Sequence, residues 1–120
     1  MPSVITPKKM TLSQTQSEFA QDVAELIQYI HTSGYSCTFG DAYRDPRSHG
    51  EIGSKTAYGA ADSLHKQRLA IDLNLFKDGL YLSHTEAHRL FGDHWKGLHP
   101  DNVWGGDFTR KDGNHYERKP

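Results

Sequence analysis

The chain has 120 residues, 24% of them charged and 35% hydrophobic, with a formal net charge of −1. That is enough for one compact core and not for two, and there is no basic excess to draw the chain to nucleic acid or acidic membranes. The single cysteine, Cys37, excludes an internal disulfide and a cysteine-rich zinc site, and no apolar run is long enough to span a bilayer.

The opening MPSVITPKKMTLSQ has no continuous apolar stretch before a cleavage site, so a chain made in the cytoplasm without a secretory signal is expected. Residues 1–12 read as a loose arm on a single domain spanning 1–120. Ser17 is the candidate N-cap of a helix in which Phe19, Val23, Leu26, Ile27 and Ile30 recur at helical spacing, and Gly34 ends it. YSCTFGDAYR then has the β-branched and aromatic content of a strand. Residues 45–62, rich in Gly, Ser and Ala, form a long aperiodic loop of the kind that is usually functional or mobile. Its glycines, Gly50, Gly53 and Gly59, lack the spacing of a phosphate loop.

Residues 69–76 alternate. Leu69, Ile71, Leu73 and Leu75 point one way, and Ala70, Asp72 and Asn74 the other. KDG at 77–79 is a hairpin turn and LYL begins the return strand. Ser83 with Glu86 has the capping-box spacing and predicts a second helix, with Ala87, Leu90, Phe91, Trp95 and Leu98 on one face. HPDNVWGGDF is a turn-rich link, and NHYE a short final strand.

Eight histidines are a rich supply for metal chemistry. His65 lies seven residues before Asp72. On one helix the two would stand about 10 Å apart along the axis, and on one strand they would face opposite sides, so they meet only if the chain bends within KQR. His115 is the third candidate. With His65 and Asp72 it makes two imidazoles and a carboxylate, the ligand set of a catalytic zinc, whose fourth position is left to a water that the metal acidifies. Asp112, three residues before His115, is the candidate general base. His84 and His88, four apart on the second helix, are a rival pair with His94 and His99 as further donors, and an exposed polar face is the expectation for them. His31 and His49 are expected on the surface. Ser63 either bonds substrate or caps a turn. Arg47 either meets a substrate carboxylate or is solvated, and Trp104 lines a cleft or packs in the core. Glu117, on the His115 face of the last strand, either orients His115 or is exposed, and it is the alternative base. Asp101 and Asp107 would suit a calcium ion.

SLHKQRLAIDLNLF resembles the Ser-x-His, then Ala-x-Asp-Leu, signature of the zinc peptidases that cut bacterial cell-wall peptides: the D-alanyl-D-alanine carboxypeptidases and dipeptidases, and the L-alanyl-D-glutamate endopeptidases used as phage endolysins. The resemblance covers roughly residues 17 to 117. It implies that His65, Asp72 and His115 bind zinc, that Asp112 is the base and that Arg44, in DAYRDP, stabilises the oxyanion. VWGGDF, KQRL after the signature histidine, and Asp112 with GN before the last one all point to the endopeptidase branch. The implied fold is α+β, a small antiparallel sheet carrying the zinc site and packed with helices, like the D-Ala-D-Ala peptidases and Hedgehog. The implied function is hydrolysis of the peptidoglycan stem peptide at L-Ala–D-Glu by a monomeric phage-type lysin with Zn2+ as cofactor. It acts on the wall without nucleic acid or membrane insertion. A D-Ala-D-Ala carboxypeptidase and a non-catalytic zinc-binding module are the alternatives.

Overall fold

The computed structural model describes residues 10–42 and 64–120. Helix α1 (Leu12–Thr32) starts five residues before the predicted cap at Ser17, because Thr11 and Gln14 close a capping box. Thr11 Oγ1 accepts from the Gln14 amide at 3.2 Å, and the Gln14 side chain accepts from the Thr11 amide at 2.8 Å. Leu12, predicted as the end of a loose arm, is therefore helical. The other end is as predicted. Gly34 takes a φ of +88°, and the amides of Gly34 and Tyr35 return to the carbonyls of His31 and Ile30 in a Schellman arrangement.

Strand β1 (Ser36–Phe39) is followed, after the undescribed segment, by a 3-10 turn (Leu64–Gln67) and by β2 (Ala70–Lys77). Asp78 and Gly79 both have positive φ, 52° and 78°, the type I′ geometry that suits a two-residue hairpin into β3 (Leu80–Leu82). A further 3-10 turn (Thr85–His88) precedes α2 (Arg89–Leu98). The capping box predicted from Ser83 and Glu86 does not form. Glu86 instead holds Arg89 in a bidentate pair at 2.7 and 2.9 Å, and the helix begins at that arginine. Leu90, placed on the apolar face by its spacing, is instead 50% exposed. The predicted link contains a strand, β4 (Asn102–Trp104), and β5 (His115–Arg118) closes the chain.

The result is α+β, with all described strand pairs antiparallel. The sheet order is β1-β2-β5-β4. One edge of β2 pairs with β1, and the other is shared between β5, along residues 70–72, and β3, along residues 75–77. Leu69, Ile71, Leu73 and Leu75 face α1 and α2, against Phe19, Val23, Leu26, Ile30, Phe91 and Trp95. Large apolar side chains removed from water in this way contribute about 1.5–3 kcal/mol each. A polar bridge reinforces the layer. Buried Arg118 of β5 donates to Glu18 and Asp22 of α1 at 2.9 and 2.6 Å and to Asn102 at 2.6 Å.

Trp104 is fully buried, so the expectation that it lines a substrate cleft is corrected. It packs on Gly92 of α2 so closely that a Cβ there would overlap its ring, whereas a Cβ on Gly97 of the same helix would meet nothing within 4 Å. Gly92→Ala is therefore expected to lower unfolding stability by about 1–3 kcal/mol through overpacking. Gly97→Ala should raise it by up to about 1 kcal/mol through helix propensity. Denaturant unfolding of the two variants checks this, and equal effects would contradict the packing.

Candidate metal centre

Asp72 is clamped by its backbone from one side and by its neighbours from the other. On the β1 side the Gly40 amide donates to the Asp72 carbonyl at 2.7 Å, and the Asp72 amide donates to the Asp41 carbonyl at 2.7 Å. On the β5 side Asp72 stands directly opposite His115, and the flanking Leu73 amide donates to the Asn114 carbonyl at 2.9 Å. That makes Asp72 and His115 a non-hydrogen-bonded pair, the ladder position at which facing side chains are closest. Gly40 and Asp41 were not singled out from the sequence. A glycine just past a strand was the available signal.

His65 arrives by the bend that its spacing from Asp72 requires. It lies on the 3-10 turn, and Arg68 then takes a φ of +56°, in the left-handed region rare for a non-glycine residue. The Leu69 amide closes back onto the Leu64 carbonyl at 2.9 Å. Gln16 of α1 fixes the end of the turn by donating to the Gln67 carbonyl at 2.7 Å.

Three donor atoms converge. His65 Nε2 is 3.3 Å from Asp72 Oδ1, His115 Nδ1 is 3.1 Å from Asp72 Oδ1, and the two nitrogens are 3.2 Å apart. Ligands on a tetrahedral centre with bonds of 2.0–2.1 Å stand about 3.3–3.4 Å apart, so the three atoms have the spacing of one face of such a centre. Among the described residues this is the one group of three or more His, Cys, Asp or Glu side chains able to hold a metal ion. The His65 side chain is 1% exposed, that of His115 10% and that of Asp72 16%, so the cluster is largely buried.

Burial alone would raise the Asp72 pKa, but hydrogen bonds from His115 and His65 outweigh it and bring it down to about 2. Burial would likewise lower that of His115, but Asp72 and Glu117 beside it push it up to about 9. Glu117 Oε1 lies 2.6 Å from His115 Nε2.

The turn carrying Asp112 is held from behind. Its amide donates to the Gly105 carbonyl at 2.9 Å, and its carbonyl accepts from the His115 amide at 3.1 Å. Trp104 Nε1 donates to the Gly113 carbonyl at 2.7 Å. Gly105 has no room for a side chain, because a Cβ would run into the Asp112 carbonyl and come within 2.8 Å of the His115 Cβ. Phe108, not anticipated from the sequence, places its ring 5.6 Å from that of His115.

The remaining sequence candidates fall elsewhere. His88 is 3% exposed and bonds the Tyr116 hydroxyl at 3.2 Å, so the exposed face expected for it is corrected: it points into the sheet, whereas His84 is exposed. His94 stacks on Tyr29, His99 accepts from the Asp101 amide, and Asp107 pairs with Lys96 at 2.8 Å. His31 is exposed, as expected. Arg44, Arg47, His49 and Ser63 lie outside the described residues.

Compared with known proteins, the chain matches no family profile and no curated protein by sequence. Among solved structures it is similar to the L-Ala D-Glu endopeptidase ChiX of Serratia marcescens, with a TM-score of 0.58 over 91% of this chain and 89% of that one. At 14% identity, what the two share is the fold.

The two pKa shifts have opposite signs and define a window. Asp72, lowered from 3.8 to about 2, contributes stability that is present above 3.8 and lost as pH falls through 2. His115, raised from 6.5 to about 9, contributes stability that is present below 6.5 and lost as pH rises through 9. In the presence of a chelator, the stability advantage of the unmodified chain over Asp72→Asn should be greatest between pH 3.8 and 6.5 and shrink on either side. Thermal unfolding across pH measures it, and a pH-independent difference would contradict the pairing.

Proposed function

We propose that this chain is a zinc-dependent peptidase of peptidoglycan that cuts the stem peptide between L-Ala and D-Glu, in the manner of a monomeric phage endolysin. The observation that carries the reading is the convergence of His65 Nε2, Asp72 Oδ1 and His115 Nδ1 within 3.3 Å of one another. The fold shared with an L-Ala D-Glu endopeptidase supports it. No described helix is long and apolar enough to cross a membrane.

Two imidazoles and one carboxylate would hold the ion, a donor set that suits zinc. When bound, zinc acts as a Lewis acid that polarises a carbonyl and acidifies water. The chain's own residues do the rest. Asp112, exposed on a turn that its backbone bonds to Gly105 and His115 hold still, takes the proton from the attacking water and delivers it to the leaving amine. Arg44 offers its fixed charge to the oxygen that becomes negative as the peptide carbon turns tetrahedral. Arg47 and Ser63 contact the substrate, with Arg47 meeting the free carboxylate of D-Glu.

Digestion of purified peptidoglycan followed by mass spectrometry tests the reading. Glycan fragments should keep L-Ala and the released peptides should begin with D-Glu. Release of free D-Ala would make the enzyme a carboxypeptidase, and no product from several wall types with zinc bound would leave a binding module.

Variants separate the roles. His65→Ala, Asp72→Ala and His115→Ala should each lose zinc by elemental analysis, while a His84→Ala/His88→Ala double variant keeps it. Full zinc in His65→Ala would end the assignment. Asp112→Asn keeps the shape but cannot take the proton, so it should retain zinc and lose at least about a hundredfold in hydrolysis. If only Glu117→Gln loses hydrolysis, the base is Glu117.

Arg44→Ala should also keep zinc and lower the catalytic rate, because its charge is used as the oxyanion forms. An unchanged rate would move that role to Arg47.

A further inference from the structure

Glu117 stands on the side of His115 away from the donor cluster. The two residues project from the same face of β5, about 7 Å apart along the strand. Across the ladder Glu117 faces Ala70, whose small side chain offers its carboxylate no partner. The Glu117 side chain, 17% exposed, reaches back along β5 and puts Oε1 2.6 Å from His115 Nε2. The other nitrogen of the same ring, Nδ1, faces Asp72 Oδ1 at 3.1 Å and His65 Nε2 at 3.2 Å.

We propose that Glu117 is a positioning residue: it keeps a proton on His115 Nε2 and so presents the Nδ1 lone pair to the metal. The proposal rests on the metal centre described above and is independent of the substrate. A carboxylate only accepts hydrogen bonds, so a contact of 2.6 Å requires that Nε2 carry the hydrogen. With that hydrogen in place, the lone pair of the neutral ring lies on Nδ1, aimed where Asp72 Oδ1 and His65 Nε2 also point. Partners of this kind fix the ring's orientation and raise its basicity as a ligand. The same geometry argues against Glu117 as the base. Its carboxylate is separated from the converging donors by the whole imidazole ring.

The test reads the ring directly. In the zinc-loaded full chain labelled with 15N-histidine, long-range proton–nitrogen spectra should show His115 protonated on Nε2 and shifted at Nδ1 by the metal. Glu117→Gln keeps an acceptor oxygen, so it should preserve this tautomer and bind zinc within a few-fold of the unmodified chain. Glu117→Ala should lose about 10- to 100-fold in zinc affinity, measured by competition with a chromophoric chelator. A zinc-loaded unmodified chain with its His115 proton on Nδ1 overturns the proposal without any variant, so it stays testable if Glu117→Ala fails to fold. Unchanged zinc affinity in a folded Glu117→Ala overturns it equally. Zinc bound through Nδ1 with no wall hydrolysis would sink the peptidase reading and leave this one standing. No zinc binding by the unmodified chain overturns both.

Discussion

Asp72 and His115 face each other across the β2–β5 ladder, and the rest of the site is built around that pair. The cost of placing a carboxylate in an otherwise apolar strand is desolvation, which acts to raise its pKa. Hydrogen bonds from two imidazoles reverse the balance and leave the carboxylate ionised. The pairing is also fixed in register. A slip of one residue would turn Ile71, Leu73 and Leu75 out of the core and Asp72 into it, so the same apolar packing that holds β2 against α1 and α2 places the carboxylate. Folding energy and site geometry therefore depend on one alternation.

Of the two other donors, His65 sits on a 3-10 turn and His115 opens β5 directly after the Asp112 turn, and backbone and side-chain bonds hold both turns. The turn of His65 is closed by Leu69 onto Leu64 and tied to α1 through Gln16, while that of Asp112 and His115 is tied to Gly105 and to the Trp104 indole. Arg118 then fastens the outer end of β5 to α1 through Glu18 and Asp22. β5, which carries the proposed ligand His115 at its start, is thus anchored at both ends. For the proposed reaction this matters, because displacement by an ångström at a reacting centre can cost about a hundredfold in rate. Trp104 contributes in this indirect way, as a wall behind the Asp112 turn instead of a surface for substrate.

Much of this was legible in the sequence, for reasons that differ by element. The alternation of residues 69–76 gave β2 to within one residue, and the mismatch between seven-residue spacing and any regular element required the bend at KQR, which Arg68 makes. Elements whose ends are set by competing polar side chains were misread. Thr11 displaced Ser17 as the cap, and Glu86 chose Arg89 over the backbone at Ser83, because spacing cannot rank two available partners. The inward turn of His88 and the burial of Trp104 depend on the sheet they meet, and β4 has three residues among turn formers, too few to show a period. The convergence of His65, Asp72 and His115 was anticipated from chemistry and resemblance. The Gly40–Asp41 clamp is a backbone arrangement and left almost no trace in residue types.

The three donors lie 7 and 43 residues apart along the chain and on three separate elements, so the site exists only in the folded protein. That links occupancy to stability in one direction: a cation binding all three cross-links the turn of His65, β2 and β5, and acts on the folded state alone. A proton on His115 answers the same electrostatic demand, since the raised pKa follows from the negative charges of Asp72 and Glu117 on either side of the ring. A metal bound as proposed would compete with that proton for one lone pair, on Nδ1, while a proton on Nε2, facing Glu117, would be left untouched. An imidazole held between two carboxylates would keep its orientation through that exchange. With both carboxylates aligned along its two nitrogens, the ring need not turn to trade one positive charge for another.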